Sequence, residues 1–259
     1  MARRPTPYLE LPGLYRVAIG GKGPYMCAAN KFAYNGAVGT TAEDIWTAGG
    51  VKSYLSSAET VDVVSSDAND TSDGTGARTV QIYGLDGNYE MLDETIILNG
   101  TTPVTSSNSY LRLYRAVVRS AGSGGVNAGD ITVDASTSSS TCALVSTGDC
   151  QTLQSQYTVP ANHYALIGHI EVTTARNEQL QLDLQVREED QVFAVKRRYS
   201  IYGAAANFTY EIPLVVPPKA DIRVQGTNLG ASTITASCAY DYILINQNEI
   251  KLPVNLLYS

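Results

Sequence analysis

Residues 65–100 read SSDANDTSDGTGARTVQIYGLDGNYEMLDETIILNG, and this stretch decides the fold class. A polar loop rich in Asp and Gly leads into two runs that favour β-strands, Thr79–Tyr83 and Glu90–Leu98. The link between them, Gly84–Asn88, contains Gly and Asn residues that tolerate a positive φ, as a tight connection between strands requires. Val104–Ser120 can then return as a third strand. We therefore predict a β-meander with a long loop before its first strand.

The second half of the chain has the clearest strand pattern. From Gln179 to Arg187 polar and apolar residues alternate without a break, which places four apolar side chains on one side of a strand. The period of a helix would scatter them around its circumference. Similar runs occur at Ala165–Thr173, Val192–Tyr202, Phe208–Val216, Asp221–Gln225 and Ser232–Asn246. This series of short strands predicts an all-β fold, an antiparallel β-sandwich or jelly roll, built as one sandwich or as two halves.

The chain divides into three predicted segments. Residues 1–30 contain prolines and glycines that exclude a long helix, but they are too apolar for a free tail. We predict an extended N-terminal arm that is ordered by a partner subunit, in preference to a disordered terminus. Its predicted partner-binding residues are Tyr8, Leu9, Leu11, Leu14, Tyr15, Val17 and Ile19. Residues 31–150 are predicted as a β-rich meander domain with long loops, and residues 151–259 as a jelly-roll-like β-sandwich.

Two weaker local patterns precede residue 65. Thr41, followed three residues later by Asp44, resembles a helix start and predicts one or two helical turns that reach Trp46. Lys52–Leu55 and Thr60–Ser65 are then predicted as strands that lead into the central stretch.

The overall composition excludes several classes of partner. The chain has 259 residues, 44% of them hydrophobic and 17% charged, and a net charge of −7. Proteins that bind nucleic acids present a basic surface, so we expect no direct contact with nucleic acid. No run approaches the ~20 consecutive apolar residues of a membrane span, so we expect no membrane partner.

The four cysteines, at positions 27, 142, 150 and 238, contain no CxxC pair, so the usual spacing of zinc ligands is missing. We expect four free thiols. If a disulfide formed, Cys142 and Cys150 would be the pair to meet across a loop.

The best candidate for an ion site is the loop that contains Asp67, Asn69, Asp70 and Asp73. Clustered carboxylate and amide oxygens suit calcium, which takes six to eight oxygen ligands. The spacing departs from the EF-hand pattern, however, and Asp and Asn also favour turns by bonding to their own backbone. We therefore favour a plain turn, with calcium as the weaker alternative, and we expect no cofactor.

Two other groups of residues are candidates for catalysis. The histidines, His163 and His169, are not accompanied by the G-x-S-x-G motif of a serine hydrolase. Glu188–Asp190 could supply the paired carboxylates of a glycosidase, but three consecutive acids between strands favour a solvated turn. We expect a protein that is not an enzyme.

Several motifs carry a family resemblance. The pattern AxDTSxGTGARTVxIxGLDGxY and the strings ETIxLNG, NSYLRLYR and AGSGGxNAGDIT in the first half resemble virion structural proteins of tailed phages from aquatic bacteria. In the second half the matching strings are YTVPANHYALI, VREEDQVFAVKRRY, TYEIPLVVPPKADIRVQG and DYILIN. The resemblance implies a non-enzymatic component of the virion that is assembled in the host cytoplasm. It also implies partners among the virion proteins, above all the major capsid protein, and a homo-oligomer, either a trimer or a dimer.

Within that family we predict a capsid decoration or cement protein that stabilises the head shell, with the arm lying on the capsid or on a neighbouring subunit. The first alternative is a tail, neck or fibre component that acts as an adaptor or binds the host. The copy number per particle separates these two. The second alternative is a carbohydrate-binding jelly-roll module, which would need an exposed aromatic platform beside polar groups.

Overall fold

The computed structural model describes residues 26–175 and 179–247. This part of the chain is all-β, and every pairing between its strands is antiparallel, which confirms the predicted fold class. The first eight strands are β1 (Met26–Val38), β2 (Glu43–Asp44), β3 (Val61–Ser65), β4 (Ala77–Leu85), β5 (Met91–Ile97), β6 (Val104–Thr105), β7 (Arg112–Ala121) and β8 (Ile131–Ala135). The other strands are β9 (Thr141–Val145), β10 (Tyr157–Thr158), β11 (His163–Thr174), β12 (Gln179–Arg187), β13 (Ala194–Tyr202), β14 (Ala205–Val216), β15 (Asp221–Asn228) and β16 (Ile234–Asn246). Within the described residues there is no helix with the length and apolar character to cross a bilayer.

Eight of the strands build a jelly roll. One sheet has the order β1-β16-β11-β14, and the facing sheet has the order β10-β15-β12-β13, with β2 also paired to β15. Along the chain, β11 lies in the first sheet, β12 and β13 in the second, β14 in the first, β15 in the second and β16 in the first. This crossing between a four-stranded and a five-stranded sheet is the double Greek key of a jelly roll. Its core is lined by inward-facing residues of both sheets, such as Ile167, Leu182, Val224 and Tyr240.

The remaining strands form a second sandwich within one loop of the jelly roll. After β2 the chain leaves the jelly roll, builds a sheet β6-β3-β8-β9 against a sheet β5-β4-β7, and returns at β10. This sandwich has its own hydrophobic core, which includes Val63, Ile82, Tyr110 and Val133. Each of the two sets of strands therefore buries a hydrophobic core of its own.

Two strands from the first part of the chain pair with strands from its last part. β1 begins at Met26 and pairs along its length with β16, so residues on both sides of position 30 lie in the jelly roll. β2 pairs with β15 as well. Residues 26–44 therefore share their sheets with strands from the last third of the chain, while the division at 150/151 stays a prediction.

The alternating strand Gln179–Arg187 is confirmed as β12. Leu180, Leu182 and Leu184 are fully buried in the jelly-roll core. The opposite face is less exposed than the alternation suggests, because Asp183 accepts hydrogen bonds from Arg198 and Gln185 accepts from Arg223. Polar residues on that face are covered by their own partners in neighbouring strands.

The central stretch forms strands as predicted, but not a meander. β7 pairs with β4 rather than with β5, which leaves β5 at the edge of its sheet. The reason is that the chain crosses to the opposite sheet after β5, where β6 pairs with β3, and re-enters on the free side of β4. The turn after β4 also differs, since the residue with a positive φ is Tyr89 rather than a Gly or Asn.

The predicted helical turns at Thr41–Trp46 are wrong. Glu43 and Asp44 form β2, and their carboxylates accept hydrogen bonds from surrounding loops instead of capping a helix. The Glu43 carboxylate accepts from the backbone N–H groups of Gly39 at 2.6 Å and Gly50 at 2.9 Å. The strand predicted at Lys52–Leu55 is likewise wrong, because this segment is an extended connection into the second sandwich.

Candidate functional site

The predicted partner-binding residues of the arm lie outside the described residues. They are Tyr8, Leu9, Leu11, Leu14, Tyr15, Val17 and Ile19. The first described residue, Met26, starts β1, which lies at one edge of the jelly roll.

Asp70, the central residue of the calcium candidate, is fully buried and serves the protein's own backbone. Its Oδ1 accepts from the N–H groups of Ala77 at 2.6 Å and Ala128 at 2.8 Å. Its Oδ2 accepts from the Ser65 hydroxyl at 2.6 Å and from the Gly129 N–H at 2.9 Å. A carboxylate offers about four lone-pair sites, so these four donors occupy them. Asp70 is an anchor that ties two loops together.

The other residues of the calcium candidate do not converge on Asp70. Asp67 Oδ1 accepts from the Asn69 backbone N–H at 2.8 Å and from its side-chain amide at 2.9 Å, which closes a local turn. Asp73 is exposed at the tip of the loop. The part of the chain that the structure describes contains no group of three or more His, Cys, Asp or Glu side chains that could hold a metal ion. Asp67 and Asn69 thus form a local turn.

The glycines around Asp70 are needed because the two loops meet backbone to backbone. A Cβ at Gly76 would lie 2.2 Å from Asp70 Oδ1, and a Cβ at Gly122 would lie 2.2 Å from the carbonyl oxygen of Gly74. A Cβ at Gly74 would lie 2.0 Å from the carbonyl oxygen of Asn69. These contacts leave no room for a side chain. The glycines at positions 74, 76 and 122 therefore have a structural role here.

The two histidines and Glu189 each make a local contact. His163 Nδ1 lies 2.8 Å from the carbonyl oxygen of Ala161, and His169 Nδ1 lies 3.2 Å from the Thr209 hydroxyl. The Glu189 carboxylate pairs with Lys219 Nζ at 3.0 Å.

All four cysteines are free thiols, as predicted. Burial raises the pKa of the Cys142 thiol and raises that of Cys238 to about 12, so both are held in the unreactive protonated form.

A buried charge network, which we call the junction, joins the two sandwiches. Its centre is Asp221 on β15, which is nearly inaccessible to solvent. Asp221 pairs with Arg112 Nε of the second sandwich at 2.8 Å, and it also accepts from Arg187 on β12 and from the Thr158 hydroxyl. Arg112 donates in addition to the carbonyl oxygen of Leu55 at 2.8 Å. A buried carboxylate with several charged donors is well satisfied, and losing one donor would leave it under-neutralised.

Two buried lysines connect the same strand β7 to the rest of the molecule. Lys31 of β1 donates to the carbonyl oxygen of Tyr114 at 2.7 Å, and Lys52 donates to that of Leu113 at 2.9 Å. Burial, with repulsion from Lys52 and Arg115, lowers the pKa of Lys31 to about 7. Burial also lowers the pKa of Lys52 to about 8, although nearby Asp44 and Cys142 act in the opposite direction.

The junction is covered by aromatic rings. The Arg187 guanidinium lies 4.4 Å from the ring centre of Tyr54 and 4.6 Å from that of Phe193, and Arg223 lies 3.8 Å from Phe193. A cavity of about 340 Å³ beside it is lined by Tyr54, Arg187 and Asp221 and by Glu188–Gln191. Because its arginines are already engaged by Asp221 and by rings, the junction acts as a rigid connection rather than as an open anion site.

Within the described residues, β13 and β14 form one lateral edge of the jelly roll, which we call the open flank. Each is the last strand of its sheet. Between the sheets the flank is closed by stacked Tyr199 and Phe208 rings, 4.0 Å between centres, and by a hydrogen bond between the hydroxyls of Tyr199 and Tyr210. Outside this layer, Tyr202 is 71% exposed and Ile212 is 83% exposed.

A bulge makes the open flank project outward. The register of β14 against β11 jumps from Leu214 opposite Ile167 to Thr209 opposite His169, which leaves residues 210–213 without regular pairing. Ile212 lies in this bulge, followed by Pro213, which has no N–H to donate. Natural edge strands use such bulges to end a sheet or to redirect side chains. The apolar Ile212 side chain is thereby directed into solvent.

The second sandwich has an exposed edge with acidic side chains. We call it the acidic edge, and it consists of Glu90 and β5. Glu90 and Asp93 are exposed, and Met91 and Ile97 are 54% and 61% exposed. β5 pairs with β4 on one side and is the last strand of its sheet. The sequence predicts these strands but not their positions at the edges of sheets. A signal in the sequence that points to the open flank is the cluster of basic residues Lys196–Arg198 beside apolar residues.

Comparisons with known proteins identify no family for this chain. No family model matches it, and no curated protein matches it. Among solved structures it is similar to a chain of infectious bursal disease virus, Gt strain, with 12% identity, 93% of this chain and 79% of that chain covered, and a TM-score of 0.27. It is also similar to a chain of the infectious bursal disease virus VP2 subviral particle, with 12% identity, 92% and 79% coverage, and a TM-score of 0.25. Both neighbours come from viral particles, and a likeness of this size carries no inference about what this chain does.

Proposed function

We propose that this protein is a non-enzymatic structural component of a tailed-phage virion, and specifically a decoration or cement protein of the head shell. The observation that carries the proposal is the open flank. It presents large exposed side chains, above all Tyr202 and Ile212, on two edge strands of the jelly roll. Apolar side chains beside a free strand edge are available for contact with another protein.

The contacts between the two sandwiches suit a structural protein that keeps its shape under mechanical force. The junction fixes the second sandwich to the jelly roll through Arg112 and Asp221, and Lys31 and Lys52 add direct bonds to β7. The net charge of −7 keeps such a surface from adhering to packaged nucleic acid. The jelly roll is a fold found in viral capsid and lectin domains, and the family resemblance of the sequence selects the first of these. The partners are then the major capsid protein and neighbouring copies, and the location is the virion.

The test is the resistance of particles to heat. Particles assembled without this chain are heated beside normal particles, and the release of DNA is followed with a dye. We expect release at a lower temperature without the chain, and recovery of the normal temperature after purified chain is added back. An unchanged release temperature would contradict a cement role.

A further inference from the structure

We propose that the open flank of one copy binds the acidic edge of a second copy, so that copies associate head to tail. The proposal deepens the proposed function and rests on it for its biological setting, but the contact itself is a property of the chain alone. It commits to one occupant of the open flank, a second copy of this chain, and the reasons are charge, exposure and free strand edges.

The cations of the open flank are the consecutive residues 196–198 of β13. Arg198 is engaged by Asp183 at 2.7 Å, and the guanidinium of Arg197 lies over the Tyr210 ring at 5.4 Å. Lys196 has no ion-pair partner among residues 26–175 and 179–247. On β14 the bulge adds one carboxylate, Glu211. β13 is therefore a basic strip in a protein that is acidic overall.

The acidic edge has the matching charge. Asp93 accepts from the Gln81 side chain at 2.6 Å, and Glu94 accepts from the backbone N–H groups of Ser107 and Asn108, so neither carboxylate is neutralised by a cation. Glu90 precedes them on the exposed side. Opposite charges that face each other across a contact favour the correct partner and speed association.

Both edges also offer backbone groups and apolar side chains. Among the strands of residues 26–175 and 179–247, β13 and β5 each pair on one side, and their other side offers a row of N–H and C=O groups to another strand. β13 has nine residues and β5 has seven, which gives lengths of about 30 Å and 23 Å that can lie side by side. Val195 and Tyr202 at the ends of β13 and Met91 and Ile97 at the ends of β5 supply apolar surface.

Other arrangements fit less well. Two open flanks facing each other would place Lys196 and Arg197 of one copy against the same residues of the next, which is repulsive. Lysines also protect the edge strands of monomeric proteins from pairing, but such edges are polar, and this one ends in the exposed Tyr202. A contact between two different patches is heterologous, and it closes into a ring or continues as an array. A trimer is one closed ring of this kind. A dimer with twofold symmetry is not, because both of its copies contribute the same patch to the contact.

The test is self-association of the purified chain by sedimentation velocity over a range of concentrations, without particles. The flank variant carries Lys196→Glu and Arg197→Glu, the edge variant carries Glu90→Lys and Asp93→Lys, and a third chain carries all four changes. We expect the unchanged chain to associate and each two-residue variant to lose about tenfold or more in affinity. The four-residue variant should regain association, because the charges are complementary again with their signs exchanged.

A matched control is the chain with Asp73→Lys and Asp149→Lys, which has the same charge change as the edge variant at exposed loops, and it should associate like the unchanged chain. The unfolding temperature of each variant shows that it is folded. The inference is overturned if the unchanged chain stays monomeric, if one of the two-residue variants associates normally, or if the four-residue variant does not recover. Because no particle is present, failure here leaves the heat-release test of the proposed function unaffected, and the reverse holds as well.

Discussion

Replacing Asp70 by Asn tests the anchor that organises the second sandwich. The carboxylate accepts three backbone N–H groups and one hydroxyl, while Asn retains one acceptor oxygen and directs an NH₂ group at the remaining donors. Hydrogen bonds to a charged group contribute about 1.5–3 kcal/mol each, so losing two of them costs about 3–6 kcal/mol. That is a large part of the ~5–15 kcal/mol that stabilises a typical domain.

The assay is hydrogen exchange of the backbone amides in β3, β4 and β8, which flank the two loops. We expect the Asp70→Asn variant to lose protection in these strands, in line with a lower free energy of local unfolding. The control is Asp73→Asn in the same loop, where the side chain is exposed and the expected change is within about 0.5 kcal/mol. The account of this loop would be refuted if both variants exchanged like the unchanged protein. It would also be refuted if calcium or a chelator changed the protection of these strands, because Asp70 has no lone pair left for a metal.

Three further outcomes follow from the packing and the buried charges. Stability should rise between about pH 7 and pH 8.5, because Lys31 and Lys52 have pKa values of about 7 and about 8 in the folded state against 10.5 unfolded, so the unfolded chain binds more protons in this window. At higher pH the thiols of Cys142 and Cys238 act in the opposite direction, because burial raises their pKa values above those of the unfolded chain. Denaturant titrations at several pH values measure this, and a flat profile would contradict the burial of the two amines. Leu182→Asp should prevent soluble folding, because it places an unpaired carboxylate in the jelly-roll core. The control Gln181→Asp lies on the half-buried opposite face and should express normally. Equal expression of the two variants would contradict the assignment of faces in β12. Alkylation of the unfolded, unreduced protein should add four labels in mass spectrometry, and two labels would reveal a disulfide.

Local strand patterns could be predicted from the sequence because they depend on neighbouring residues. The alternation in β12 and the β-branched residues of β4 indicate strands directly. The insertion of the second sandwich could not be predicted in this way, because it is defined by the pairing of β1 with β16. Asn30 and Asp241, which hydrogen-bond across that pair, are 211 positions apart in the chain.

The candidate sites show the same limit. Oxygen-rich residues at 67–73 suggested calcium, but the sequence does not show that the N–H groups of Ala128 and Gly129, some 60 residues later, point at the Asp70 carboxylate. The basic run Lys196–Arg198 was visible as part of a strand. Its place at an uncovered side of the jelly roll depends on which strands border each sheet, and that is set by long-range pairing.

The copy number of this chain in purified virions tests the central claim most directly. Mass spectrometry with labelled reference peptides gives the ratio of this chain to the major capsid protein in intact particles. A decoration or cement protein of the head shell predicts hundreds of copies per particle, in a fixed ratio to the capsid protein. A few to some dozens of copies would place the chain in the tail or neck, and its absence from particles would contradict a structural role in the virion.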